Sequence, residues 1–268
     1  MIDAHVHLWR IGAHGCVWPG PDLAAIHRDF DLADFRAAAG EGVEAVLLVQ
    51  SQEDLADTDW LLGLADPLIA GVVGWVDLAA PDAPARVAAL ATHPLLRGVR
   101  PMVQGRADDW YDGANDAALA AMAHHRLVLD ALVQPRHLDS LGRLAARHPD
   151  LAIVIDHAAK PQAEGFEAWV CAIDSVAGHA NLHCKLSGLV TESAAVADAF
   201  AAIWRAFGPE RLLWGSDWPV VNLAASYGEW REMARALVPA EHWGAVFGGN
   251  ARRVYRLEEG RSDGGKGS

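Results

Sequence analysis

Residues 151–157 read LAIVIDH, five apolar residues in succession followed by a polar pair that ends in His157. A strand that is apolar at every position, and not at alternate ones, is covered on both faces, as a parallel strand between layers of helices is. Working outward, seven more runs of this kind occur: IDAHVHL (2–8), EAVLLVQ (44–50), IAGVVGWVDL (69–78), RGVRPMV (97–103), LVLDALV (127–133), NLHCKLSG (181–188) and RLLWGSDW (211–218). From the second run on, their starts are 25, 28, 30, 24, 30 and 30 residues apart, about one strand–helix unit each. Eight strands alternating with helical segments predict an α/β fold, a (β/α)8 TIM barrel forming one domain over residues 1–257.

The intervening segments read as helices. Val87, Leu90 and Ala91 recur at helical spacing within 82–93, and 114–124 and 138–147 are rich in alanine and leucine with charged outer faces. Pro94, Pro149 and Pro209 stand just beyond helix ends. The first interval departs from the pattern: residues 9–30, WRIGAHGCVWPGPDLAAIHRDF, read as a long loop over the barrel mouth. A last helix is expected near 250–257, and the tail 258–268, EEGRSDGGKGS, is expected to be disordered.

Composition sets further bounds. Hydrophobic residues make up 52% of the chain and charged ones 21%, the balance of a packed globule. A formal charge of −13 opposes nonspecific binding to nucleic acid or to anionic membranes, both of which need a basic surface. No apolar stretch approaches the length of a membrane span, and a cytoplasmic location is expected. Cys16, Cys171 and Cys184 are odd in number and lack CxxC spacing, so neither a disulfide framework nor a thiolate zinc site is expected.

In such a barrel the chemistry sits at the C-terminal ends of the strands. Polar residues gather there: His5 and His7, Gln50, Arg100 with Gln104 and Arg106 following, Asp130 and Gln134, His157, Lys185 and Ser187, and Asp217. His5 and His7 project to one side of their strand, with Ala4, Val6 and Leu8 on the other. Such a pair can bind a metal, polarise a carbonyl, or sit as two satisfied polar groups. Each residue has a plain structural reading by itself, Asp217 as a turn residue, Lys185 as a snorkelling lysine, but convergence from several strands on one mouth is what a site predicts. Trp9, Trp18, Trp110 and Trp218 are candidates to wall the pocket, and His14 and His27 lie on the long loop.

DAHVHLW, LLRGVRPMVQ, IVIDHAAKP, CKLSGL, LLWGSDWPV and FGGNARRVYRL together resemble the amidohydrolase superfamily, within it the lactonase branch that includes L-fuconolactonases, L-rhamnonolactonases and 2-pyrone-4,6-dicarboxylate lactonases. The resemblance spans residues 1–257 and implies a site of His5, His7, His157 and Asp217, with Asp217 as proton acceptor and cyclic esters as substrates. Superfamily members with two metals bridge them by a carboxylated lysine or glutamate on strand four or five. Arg100 and Asp130 stand at those strands here, which argues for one divalent ion at most, zinc foremost, or for none. The expected reaction is hydrolysis of a sugar-acid lactone by water, with Arg100 and Lys185 facing the oxyanion. Gln50, Gln104, Asp130, Gln134, Arg106 and Trp110 are the expected substrate contacts. A pyrone dicarboxylate needs several arginines, and SGLVTES (187–193) supplies none, which favours a neutral polyhydroxylated lactone. The competing readings are a metal-dependent decarboxylase or amide hydrolase on the same barrel, and a barrel that only binds a sugar acid.

Overall fold

Apolar side chains at successive positions commit a strand to burial on both faces, and each of the eight runs carries one strand in the computed structural model, which describes residues 1–193 and 195–257. They are β1 (Ile2–Val6), β2 (Ala45–Val49), β3 (Ile69–Gly74), β4 (Leu96–Val99), β5 (Val128–Ala131), β6 (Ile153–Ile155), β7 (Leu182–Leu186) and β8 (Leu212–Trp214). Neighbouring pairs are parallel, in the order β1 to β8. The ring closes just beyond β8, where the His7 N–H donates to the Trp218 carbonyl at 2.7 Å and the Asp217 N–H to the His5 carbonyl at 2.9 Å. The (β/α)8 barrel is therefore closed by the backbone of candidate site residues.

Two apolar layers hold it together. Ile2, Ala4, Leu47, Val49, Val73, Val128, Val154 and Leu213 fill the interior, and Val254, Tyr255 and Leu257 from the C-terminal segment join this cluster. Val46, Leu48, Val72, Leu129, Ile153, Ile155, Leu182 and Leu212 point outward into the cluster that holds the helices. One expected detail is corrected. Ala4 belongs to the inner layer, apart from Val6 and Leu8, because β1 carries an extra residue: Asp3 to Val6 spans three steps where the partner Val46 to Leu48 spans two. This bulge re-aims the strand, so that His5 and His7 continue on the inner side.

The expected helices form as Ala83–Leu90, Asp116–His124, Leu138–Arg147 and Asn250–Val254. Asn115 caps the second by accepting from the Ala117 and Ala118 N–H groups. Residues 9–30 hold no helix or strand; their ends are tied by a bridge between Trp9 and Phe30, and Trp9, Ile26 and Phe30 are buried. The three cysteines are free. Among the described residues no helix is long and apolar enough to cross a membrane. The tail 258–268 lies outside the described residues.

Candidate active site

His157 and Asp217 both sit on backbone in the left-handed region, with φ of 52° and 59°. His157 opens a run of four such residues that continues through Ala158, Ala159 and Lys160. Left-handed conformations cost roughly 1–2 kcal/mol per residue outside glycine, and strain of this kind persists where surrounding contacts determine the geometry. Here the Trp169 indole N–H donates to the Ala158 carbonyl at 2.8 Å and the Lys160 N–H to the His157 carbonyl at 2.8 Å. The turn bends the chain so that Asp156 and His157 both reach the barrel axis.

Two glycines make room for the imidazoles. A Cβ on Gly188, itself at φ 65°, would stand 2.5 Å from His157 Nδ1, and one on Gly215 would stand 2.6 Å from His5 Cβ. We expect Gly188→Ala to push the His157 ring away from Ser187, whose Oγ it meets at 2.9 Å, and to lower kcat roughly a hundredfold. A kcat within threefold of wild type would mean that His157 need not hold this position.

Beneath the mouth lies a column of buried charge. Lys185 Nζ donates to Asp130 Oδ2 at 2.5 Å, pairs with Asp156 Oδ1 at 2.9 Å and lies 3.0 Å from His5 Nδ1. Arg100 reaches Asp156 Oδ2 at 3.4 Å and the Gln50 carbonyl. The Tyr255 hydroxyl donates to Asp130 Oδ1 at 2.7 Å, tying the column to the C-terminal segment. Burial pushes Asp130 up to about 6, against the pull of Lys185. Burial also works against the charged form of Asp156, but Lys185, His5 and Arg100 outweigh it and hold that carboxyl well below the usual range.

The network also assigns imidazole protons. An ammonium only donates, so His5 Nδ1 accepts from Lys185, and the proton of neutral His5 is on Nε2. His7 Nδ1 faces the Val49 carbonyl at 2.7 Å and must donate to it, leaving a lone pair on His7 Nε2, 3.1 Å from His5 Nε2. Asp217 Oδ1 stands 3.4 Å from His7 Nε2, 3.7 Å from His5 Nε2 and 3.9 Å from His157 Nε2. Burial disfavours its charge, yet the pull of His157, with that of His5, holds the Asp217 carboxyl far below the usual range. Desolvation lowers His157 and lowers His5 well below 6.5. The centre is thus a carboxylate beside His157 and His5, whose charging burial opposes.

Above it opens a pocket of about 400 Å³. His7, Arg100, Gln104, His157 and Asp217 line it, with Trp18 from the long loop. Several expected contacts lie elsewhere. Gln50 and Asp130 are fully buried below the wall, and Lys185 is likewise sealed, so it acts on the centre through His5 and Asp156. Arg106 pairs with Glu53 at 3.1 Å beside a neighbouring depression, Gln134 accepts from Arg136, and Trp110 packs on Tyr111 outside the pocket. Trp9 and Trp218 are buried away from the pocket wall, His14 stacks on Trp60, and His27 meets the Pro19 carbonyl. Sequence reading missed Asp156, Lys160, Glu192 and the apolar wall of Met102, Leu132, Val220 and Leu223, and it named Ser187 only as a strand-end polar residue. It also missed Asp3, whose Oδ1 accepts from the His5 N–H at 3.2 Å and the Ser216 N–H at 2.9 Å, joining β1 to the turn after β8.

The donor set suits one divalent ion. His5 Nε2, His7 Nε2 and Asp217 Oδ1 lie 3.1–3.7 Å apart, close to the roughly 3.3 Å edge of a tetrahedral zinc site, and Asp217 Oδ1 is buried with no hydrogen-bond partner among the described residues. Holding an ion through His5 Nε2 requires the His5 proton on Nδ1, where Asp156 Oδ1 at 3.5 Å is the acceptor. The second cluster, His5, Asp156 and His157, is different: Lys185 and Arg100 already neutralise its carboxylate.

Comparison with known families is decisive, since the amidohydrolase family model matches residues 2–257. The chain belongs to the amidohydrolase family. It is 45% identical to an L-fucono-1,5-lactonase of Burkholderia ambifaria, over 98% of this chain and 97% of that protein. An amidohydrolase from Burkholderia multivorans with bound HEPES superposes with a TM-score of 0.87 at 34% identity, covering 96% of this chain and 99% of the other. Its zinc-bound crystal form gives 0.85 at 34% identity, covering 96% and 99%. As an amidohydrolase, the chain has its histidines and aspartate where a hydrolytic centre is built, at the C-terminal ends of the barrel strands.

Proposed function

We propose that this amidohydrolase opens a sugar-acid lactone by hydrolysis, with Asp217 as the proton acceptor. The observation that carries the reading is Asp217 Oδ1: a buried carboxylate oxygen on the pocket wall that faces three imidazoles and, among the described residues, has no hydrogen-bond partner. The 45% identity to an L-fucono-1,5-lactonase supports the substrate class.

A water bound at Asp217 gives its proton to Oδ1 as its oxygen bonds to the lactone carbonyl carbon. Arg100, on the pocket wall, is the cation placed for the developing oxyanion. The carbon–oxygen ring bond then breaks, and the leaving alkoxide takes the proton from Asp217, giving the open hydroxy acid and restoring the carboxylate. Ser51, Gln104 and Thr191 are the neutral polar side chains placed for ring hydroxyls, and Trp18 covers one side. If a divalent ion is bound, His5, His7 and Asp217 hold it, and it supplies Lewis-acid polarisation and a more acidic water.

The test is hydrolysis of neutral aldonolactones followed with a pH indicator, before and after exhaustive chelation. Turnover of at least one such lactone is expected. Silence across the panel, with decarboxylation or amide hydrolysis found instead, overturns the reading. Activity that survives chelation assigns water activation to the side chains; activity lost and restored by zinc assigns it to the ion.

The pH profile is a second check. Asp217 is already ionised throughout the neutral range, so it sets no acid limb there. His157 and His5 are lowered by burial and charge only below 6.5. We therefore expect kcat/KM to stay level as pH falls from about 8 to 6.5 and to decline only below that. A limb with its midpoint above 7 contradicts this assignment.

A further inference from the structure

The pocket wall carries four formally charged side chains, Arg100, Lys160, Glu192 and Asp217, two of each sign. Arg100 is held from behind by Asp156 and the Gln50 carbonyl, and Asp217 by the imidazoles. Lys160 and Glu192 answer each other: Nζ donates to Oε1 at 2.6 Å, with the side chains 17% and 26% exposed. Their positions are fixed by backbone. Lys160 ends the left-handed turn that presents His157, and the Glu192 carbonyl accepts from Gln162 Nε2 at 2.9 Å. Partly exposed ion pairs contribute little to stability, so a pair placed on a ligand pocket calls for another account.

We propose that Glu192 is a charge filter: by occupying the Lys160 ammonium it restricts the pocket to lactones that carry no second carboxylate. The proposal rests on the lactone-opening reading and specifies its substrate class. A carboxylate entering the pocket meets the negative charge of Glu192 and must break the 2.6 Å bond to reach Lys160. A neutral polyhydroxylated ring meets no such opposition, since its hydroxyls donate to Glu192 and accept from Lys160 while the pair stays intact. Of the remaining wall, Ser51, Gln104 and Thr191 offer a carboxylate only neutral donors, Met102, Leu132, Val220 and Leu223 offer it none, and the formal chain charge of −13 adds to the repulsion.

The test compares galactonolactone with galactarolactone, whose terminal carbon is hydroxymethyl in one and carboxylate in the other. In Glu192→Gln the preference for the neutral lactone, as a ratio of kcat/KM values, should fall roughly ten- to hundredfold, the worth of a charged hydrogen bond gained by the anion. The change should appear in KM for the anionic lactone. Calorimetric affinity for galactarate should tighten by a similar factor, and Lys160→Met with Glu192→Gln should return both readouts to the wild-type values. An unchanged ratio, or the same fall in the double variant, overturns the filter. If the wild-type protein opens neither lactone nor any other, the reaction reading fails instead, and galactarate affinity still decides the filter: no tightening in Glu192→Gln overturns it.

Discussion

Asp217→Asn should lose roughly 10²- to 10⁴-fold in kcat while keeping the barrel, the range that positioned general bases supply. The amide fills the volume of the carboxylate, and the backbone that closes the ring, the Asp217 N–H to the His5 carbonyl, is untouched. What goes is the oxygen that accepts a proton and the negative charge that faces His157, His7 and His5. KM should change far less than kcat, because an amide still hydrogen-bonds to hydroxyls in the pocket. If chelation leaves the wild-type rate intact, the loss in Asp217→Asn is loss of a base; if zinc is required, it includes loss of a ligand, and zinc affinity measured by dye competition should weaken with it. A variant that retains more than a tenth of wild-type kcat/KM shows that another group takes the proton. His157 is then the first candidate, 3.9 Å away on the same pocket wall.

The barrel was legible because its strands obey one rule over and over. Most are apolar on both faces, and after the first interval their starts recur at a similar spacing. The site was legible in its outline for a related reason: polar residues in such runs have few places to be except the mouth. The sequence hides depth. Asp130 and Arg100 both read as strand-end polar residues, yet one lies sealed under Lys185 and the other reaches the pocket. The register sets Gly98 beside Val128 and Val99 beside Leu129, so the two follow at the same step of adjacent strands and differ in side-chain reach and partners, which position in a strand does not encode. The β1 bulge is hidden similarly, since a register shift leaves composition unchanged. Asp156 was overshadowed by its neighbour His157, because regular strand alternation sends adjacent residues to opposite faces, and only a left-handed turn turns both inward. Met102, Leu132, Val220 and Leu223 look like any other core residues until the pocket beside them is seen.

Lys185→Met should be the most destabilising single change at the centre. Lys185 and Arg100 balance Asp130 and Asp156, so the buried column is neutral as long as all four are charged. A methionine of similar length keeps the packing and leaves one carboxylate in excess, with Lys185, Asp130 and Asp156 all fully buried in the wild-type protein. Stranding a buried charge in this way costs about 3–5 kcal/mol, which for a domain of this size lowers Tm on the order of 10 °C. Adding Asp130→Asn removes the excess charge and should recover much of the loss, a coupling that a thermal-denaturation double-mutant cycle reads directly. Activity separates the two contributions. Neutralising Asp130 restores the charge balance but not the ammonium that donates to His5 Nδ1, so the stable double variant should still be slow. If Lys185→Met is as stable as wild type, water or a proton already compensates the carboxylates. If the double variant regains full kcat as well as stability, Lys185 serves the fold alone and His5 needs no donor on Nδ1.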